Sequence, residues 1–213
     1  MPIIAVAHGK GGVGKTTSAY NLMFALGQDV VIDLDVHKGI SMLARLRSAV
    51  LPFPVESYTD RKTLLQALER YVEDDKTVLV DCGGFDSDLT RAVIAVADLV
   101  IVPAADTPTE RLGLITFDGV LAEISKTMKR HITAHLLICK THHSRKHFPK
   151  LDGDLQNLQH IKRLKSVLAN RPDHYLSHEE GLGVTERVAT RHTEAGREVL
   201  ALVEEIKGLL KAA

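Results

Sequence analysis

Five short apolar runs rich in valine and isoleucine punctuate the chain at 3–7, 30–34, 78–81, 99–103 and 135–139. They are continuously hydrophobic rather than alternating, which predicts strands covered on both faces and therefore a parallel sheet between helices. Segments of helical period lie at 15–26, 40–47, 62–72, 89–97 and 111–129. A further helix is expected within 195–210, where Val199, Leu202, Val203, Ile206 and Leu210 mark one apolar face. Such alternation predicts the α/β class, a doubly wound, mostly parallel sheet with helices on both faces. Ligands of these sheets bind beyond the carboxyl ends of the strands. Segments 50–60 and 140–154 are less regular and are expected to be surface excursions. With no repeat and no low-complexity linker, 1–213 reads as a single domain.

The first predicted strand runs straight into His8-Gly9-Lys10-Gly11-Gly12-Val13-Gly14-Lys15-Thr16-Thr17, and a helix follows. Gly9, Gly14, Lys15 and Thr16 satisfy the phosphate-loop spacing G-x-x-x-x-G-K-[ST]. Glycines permit backbone angles and close approach that a Cβ would forbid. The loop N–H groups and the helix N-terminus then face a β-phosphate. Lys15 is placed to neutralise β- and γ-phosphate charge, and the Thr16 hydroxyl to ligate Mg²⁺. A glycine-rich turn with an incidental lysine leaves this concentration of residues unexplained.

Residues 10–17, Lys-Gly-Gly-Val-Gly-Lys-Thr-Thr, resemble the deviant Walker A motif of the ParA/MinD ATPases, a P-loop NTPase group marked by the extra lysine at the loop's start. The resemblance implies ATP and Mg²⁺ as ligands, with Gly11, Gly12, Val13, Gly14, Lys15, Thr16 and Thr17 around the phosphates. It also implies an ATP-dependent homodimer in which Lys10 reaches the partner's phosphates; the bland alternative is a lysine on a solvated turn. The second strand ends Asp33-Leu34-Asp35. Asp35 then matches the family aspartate that positions or activates the hydrolytic water, and Asp33 the one nearer the metal shell. Two carboxylates at a strand end are costly to bury without a compensating cation or hydrogen bonds. Val36-His37 stand where the family has Pro-Gln, which leaves the exact turn open. The third strand ends in Asp81, the Walker B position expected to hold Mg²⁺ through water. Gly83 and Gly84 follow, with backbone N–H groups available to a γ-phosphate, and Asp86 or Ser87 could cap the next helix. Lys140 or Thr141 is expected near the base.

Composition narrows the picture further. Formal net charge is zero, so contact with nucleic acid or membrane must come from a local patch. One such patch is basic: His142, His143, Arg145, Lys146, His147, Lys150, His160, Lys162, Arg163 and Lys165, followed by Arg187, Arg191 and Arg197. It reads either as a nonspecific DNA surface or as an ordinary solvated face. His143 and His147 have helical metal-ligand spacing but no identifiable third ligand. Cys82 and Cys139 end apolar runs and read as small buried hydrophobes. No apolar stretch approaches a bilayer span of about 20 residues, and the start is too short for a signal peptide, so a cytoplasmic, nucleoid-associated protein is expected. The terminal helix lacks the aromatics of a membrane-targeting helix and is expected to pack on the core, with no membrane partner.

The resemblance as a whole implies a partition ATPase. Its ATP-bound dimer would hold nonspecific DNA, and a ParB-like centromere-binding adaptor would accelerate hydrolysis. The alternatives are a related switch that positions a protein complex or assists conjugation, and a metabolic P-loop ligase or kinase. The Lys10 signature disfavours the last.

Overall fold

The computed structural model describes residues 2–84 and 86–212. Among the described residues seven strands form one sheet in the order β3-β2-β4-β1-β5-β6-β7, and every pairing is parallel. The strands are β1 (Ile3–Val6), β2 (Val30–Asp33), β3 (Val55–Glu56), β4 (Val78–Asp81), β5 (Leu99–Ala104), β6 (Ala134–Thr141) and β7 (Ile161–Ala169). The helices are α1 (Lys15–Ala25), α2 (Gly39–Ala44), α3 (Arg61–Glu73), α4 (Asp88–Val96), α5 (Pro108–Met128), α6 (Pro149–Leu155), α7 (Pro172–Glu179) and α8 (Glu194–Ala212).

The continuous apolar runs serve two cores at once. In β1, Ile3 and Ala5 face a layer built by α3, α4 and α5, through residues such as Leu68, Val93 and Phe117. Ile4 and Val6 face the opposite layer, built by α1 and α8 through Tyr20, Leu22, Val199 and Leu202. Strands buried on both sides explain why no alternation marks them. The terminal helix packs as expected: Val199, Leu202, Val203 and Ile206 are buried, and Leu210 lies against the same core. No helix among the described residues is long and apolar enough to cross a membrane.

Local chemistry sets the helix starts. Asp60 caps α3 by accepting the Thr63 N–H at 2.8 Å, and Ser87 rather than Asp86 caps α4 through the Thr90 N–H at 3.2 Å. Helix α5 begins at Pro108, three residues before the expected start, because Thr107 caps it and proline suits a helix's first turn.

The segments expected to be irregular contain structure. The two-residue β3 lies within 50–60, while 140–154 holds the end of β6 and most of α6. Strand β7 has no counterpart among the expected strands. Its sequence Ile-Lys-Arg-Leu-Lys-Ser-Val-Leu-Ala carries three basic residues, and it pairs with β6 at the sheet edge. Charges on an edge strand discourage pairing with another chain, and here they hide the strand from a hydrophobicity reading.

Strand β1 pairs with β4 on one side and β5 on the other, so the chain leaves it in one direction to build β2 to β4 and returns across it for β5. The loop after β1 therefore sits at the topological switch point, where open α/β sheets bind ligands.

Candidate functional site

At that switch point the glycine loop closes into α1. Gly14, the residue before the helix, has φ of 105°, a left-handed conformation that a side chain would strain. Lys15, in the first turn, is only 5% exposed. Its Nζ donates to the Lys10 carbonyl at 2.9 Å. Burial lowers the Lys15 pKa against the opposing pull of Asp81 and Asp35. An ammonium held this way is primed to exchange a loop carbonyl for a stronger anionic partner.

The acidic side of the site comes from two neighbouring strand ends. Asp33 and Asp81 are register partners in β2 and β4. Asp81 Oδ2 accepts the Thr16 hydroxyl at 2.8 Å, while its Oδ1 is buried without a hydrogen-bond partner among the described residues. Burial first, then the Asp33 and Asp35 charges, raise the Asp81 pKa to about 7, against the Thr16 hydrogen bond and Lys15. A buried, orphaned carboxylate oxygen beside a threonine hydroxyl is a donor set suited to a hard divalent cation such as Mg²⁺. Asp33 is differently committed. Its Oδ2 accepts both the N–H and the hydroxyl of Ser41, at 3.0 and 2.9 Å, and its Oδ1 the Asp35 N–H at 3.3 Å. It thus fastens the start of α2 beneath the site. Gly39, at that start, allows the approach: a Cβ there would lie 2.7 Å from Thr16 Cγ2.

Asp35 is half-buried and lines a cavity of about 510 Å³ together with Lys15, Thr16 and the loop glycines. The turn after it closes without the Pro-Gln of the resembled motif. The His37 N–H donates to Asp35 Oδ1 at 2.8 Å, and the Lys38 N–H to the Asp35 carbonyl at 3.0 Å. Lys38 completes the turn in a left-handed conformation, with φ of 51°. Of the glycine pair after β4, Gly84 lines the cavity, whereas Gly83 is buried and does not. Gly11, Gly12, Gly14 and Thr17 line it too, Val13 is fully buried, and Lys10 is half-buried and not part of the lining.

A second cavity, of about 300 Å³, adjoins the first on the other side of Lys140, which lines both. Lys140 has a left-handed φ of 55°, at an irregularity between Cys139 and Thr141 in the β6–β7 ladder. Bulges of this kind re-aim side chains beside functional sites. Its Nζ donates to the Gly12 carbonyl, so this lysine belongs to the loop as much as to the second cavity. Beyond it lie Asn170, Arg171, His174, Tyr175 and His178, none of which stands out in the sequence. Behind them Asn21 Oδ1 accepts the Val184 N–H at 2.9 Å, which fixes the amide orientation. Asn21 Nδ2 donates to the Thr17 carbonyl at 2.8 Å and faces His174 Nδ1 at 3.3 Å and His178 Nε2 at 3.5 Å. With one amide hydrogen committed to the Thr17 carbonyl, the other serves one of the two ring nitrogens, the nearer being His174 Nδ1. Burial lowers the pKa of each histidine; that of His178, next to His174, falls to about 4. The four-residue spacing of the two histidines was the available signal, on a short helix with no apolar period to announce it.

The basic run does not form one surface. Arg145 pairs with Asp106 and Arg163 with Asp152, while Arg187 and Arg197 pair with Glu180 and Glu194, each at 2.7 Å. His160 is buried, its Nδ1 2.8 Å from the Ile132 carbonyl. What converges is a cleft of about 250 Å³ between the β6–α6 loop and β7, lined by His142, His143, Lys146 and Lys165 beside the two paired arginines. Cys82 and Cys139 are buried free thiols.

A glycine loop after a central parallel strand, a buried lysine at the following helix N-terminus and an acidic strand end facing it define a P-loop nucleotide-binding protein. The family described as the CobQ/CobB/MinD/ParA nucleotide binding domain matches residues 4–212, and the chain belongs to it. Over 117 residues it is 36% identical to Maintenance of carboxysome distribution protein A of Gloeobacter kilaueensis, covering 53% of each chain. Over 107 residues it is 28% identical to Protein ParA of Rhizobium radiobacter, covering 48% of each. The match thus spans about half the length of these curated relatives. The MinD cell division protein of Aquifex aeolicus shares the fold, with a TM-score of 0.74 over 98% of this chain and 97% of its own, at 17% identity.

Proposed function

We propose that the chain is a ParA-like ATPase switch that hydrolyses ATP to ADP and phosphate, and that its ATP-bound dimer holds DNA nonspecifically to move a DNA cargo. The carrying observation is the pairing of a buried Lys15 with the orphaned Asp81 Oδ1 across the glycine loop. One side offers a cation to phosphate, the other an anion to a metal. Thr16 and Asp81 would hold Mg²⁺, which supplies charge neutralisation between the phosphates, and Asp33 would anchor the shell from behind. Gly84, which lines the cavity where Gly83 does not, would offer its backbone N–H to the γ-phosphate. Asp35 accepts a proton or a hydrogen bond from the attacking water, and the chemistry is otherwise positioning and charge. Asn170, Arg171 and His174 would border the base, with Lys140 between base and phosphates.

Lys10 supports a role between two copies. Its stem passes α5, with Cδ 3.9 Å from the position a Cβ of Gly113 would take, and it does not line its own cavity. A triphosphate carries more charge than one loop neutralises, so a second copy supplies the missing cation. The cleft holding Lys146 and Lys165 is the DNA surface, and dimerisation doubles its charge. A ParB-like adaptor would accelerate turnover.

A second reading keeps the switch and changes the cargo to a protein assembly. The 36% relative named for carboxysome distribution favours it. Retention of the protein on DNA of arbitrary sequence, measured with and without ATP over a salt series, separates the two. ATP-dependent, salt-sensitive retention is expected. Its absence, with ATP-dependent dimerisation intact, would remove the DNA cargo mechanism and leave the second reading.

A further inference from the structure

The backbone of Lys10 is held on both sides of its Cα. Its carbonyl accepts Lys15 Nζ at 2.9 Å, and its N–H donates to His8 Nδ1 at 3.0 Å. The His8 ring is fully buried. It stacks on Phe117 of α5, with centroids 5.6 Å apart and planes inclined by 13°. Gly113, one turn earlier on α5, meets the ring edge, so closely that a Cβ there would lie 3.1 Å from Cε1. A ring nitrogen that accepts a backbone N–H carries a lone pair, so the imidazole is neutral with its proton on Nε2. Burial, then the charges of Lys15 and Lys10, favour that neutral form.

The two holders differ in what a nucleotide does to them. Lys15 faces the loop cavity, and an ammonium drawn to a triphosphate loosens its hold on a carbonyl. His8 is not part of that lining; it is clamped against α5 by Phe117 and Gly113. We propose that His8 is a positioning residue for Lys10, its Nδ1 fixing the peptide from which the lysine reaches a second copy's phosphates. Beside it on α5, Leu112 and Ile115 are exposed, so the helix that grips His8 also presents an outward apolar face. The inference rests on the proposed role of Lys10 between two copies.

The test compares His8→Ala, His8→Gln and His8→Asn, each alone and combined with Lys10→Ala. Asparagine can set Oδ1 where Nδ1 now accepts the N–H. Glutamine fills the space but carries its acceptor one bond further out. Affinity of the monomer for a fluorescent ATP analogue, ATP-dependent dimerisation by sedimentation velocity, and ATP turnover are read for each. His8→Ala and His8→Gln are expected to weaken dimerisation about three- to tenfold, the worth of one hydrogen bond. Nucleotide affinity is expected to stay unchanged and His8→Asn to restore dimerisation. In the Lys10→Ala background the His8 changes are expected to have no further effect on dimerisation. An equal loss in that background, an equal loss of monomer nucleotide affinity, or no loss at all with Lys10→Ala still impaired would overturn the inference alone. Full dimerisation by Lys10→Ala itself would instead remove the role of Lys10 on which it rests.

Discussion

Asp81→Asn tests the metal side of the site through stability as well as activity. In the folded chain Asp81 is raised from 3.8 to about 7, chiefly by burial. At ~1.4 kcal/mol per tenfold change in proton affinity, this amounts to about 4 kcal/mol. The sign follows from where the protons are. Between pH 4 and 7 the unfolded chain has released the proton and the folded chain retains it. The contribution is therefore fully present below about pH 4 and is lost as pH rises through 7. Above that, without a cation, the protein carries an uncompensated buried carboxylate. Asparagine keeps an acceptor for the Thr16 hydroxyl and never ionises. Urea denaturation at pH 5 and pH 8 should show the variant gaining a few kcal/mol on the parent at pH 8 and less at pH 5. Because both proteins share every other titrating group, the difference isolates this carboxylate. Adding Mg²⁺ and ADP should reverse the order, stabilising the parent strongly and the variant weakly. Identical pH dependence in the two proteins, or equal stabilisation by Mg²⁺ and ADP, would refute the reasoning.

Three further outcomes follow from the geometry. His178 is held near a pKa of about 4, below its unfolded value. Its stabilising contribution is thus present above about pH 6.5 and lost as pH falls towards 4, and His178→Gln should flatten acid unfolding in that window, as followed by circular dichroism. Gly39→Ala places a Cβ 2.7 Å from Thr16 Cγ2; Mg²⁺-dependent nucleotide affinity, measured by calorimetry, should fall roughly tenfold or more, while metal-free binding changes less. Lys146→Ala and Lys165→Ala together should lower the slope of log affinity for DNA against log salt by about one for every phosphate that these lysines neutralise in the dimer, leaving ATP turnover in the absence of DNA unchanged.

Much of this was legible because the strands around the switch point are covered on both faces. A parallel strand buried twice is apolar through its middle on both faces, and β1, β2, β4, β5 and β6 announce themselves that way, with charged or polar residues only towards their ends. The phosphate loop is readable for a different reason: its chemistry is local, within ten consecutive residues. What stayed hidden is what tertiary contacts decide. Strand β7 carries Lys162, Arg163 and Lys165 because it lies at the sheet edge, and those same residues suggested a continuous basic surface. Ion pairing then divided that surface, since Asp106 reaches Arg145 from just before α5 and Asp152, within the run itself, reaches Arg163. The second cavity depends on α7, eight residues long, and on Asn21, whose amide meets two histidines more than 150 residues away. Of its lining, the expectations reached only the phosphate-loop side, through Gly14 and Thr17, and Lys140. Even there, the lysine's bond to the Gly12 carbonyl follows from a left-handed residue at a ladder irregularity, which no local pattern specifies.

The central claim is that Lys10 serves the nucleotide of another copy, and mixing two inactive variants tests it most directly. Lys10→Ala keeps its own Asp35 and phosphate loop but lends no cation; Asp35→Ala lends the cation but cannot direct water. Each alone should hydrolyse ATP poorly. Turnover measured on an equimolar mixture should rise well above either variant, because one site of each mixed dimer then has every group it needs. A mixture no more active than its parts, although mixed dimers form, would contradict the account.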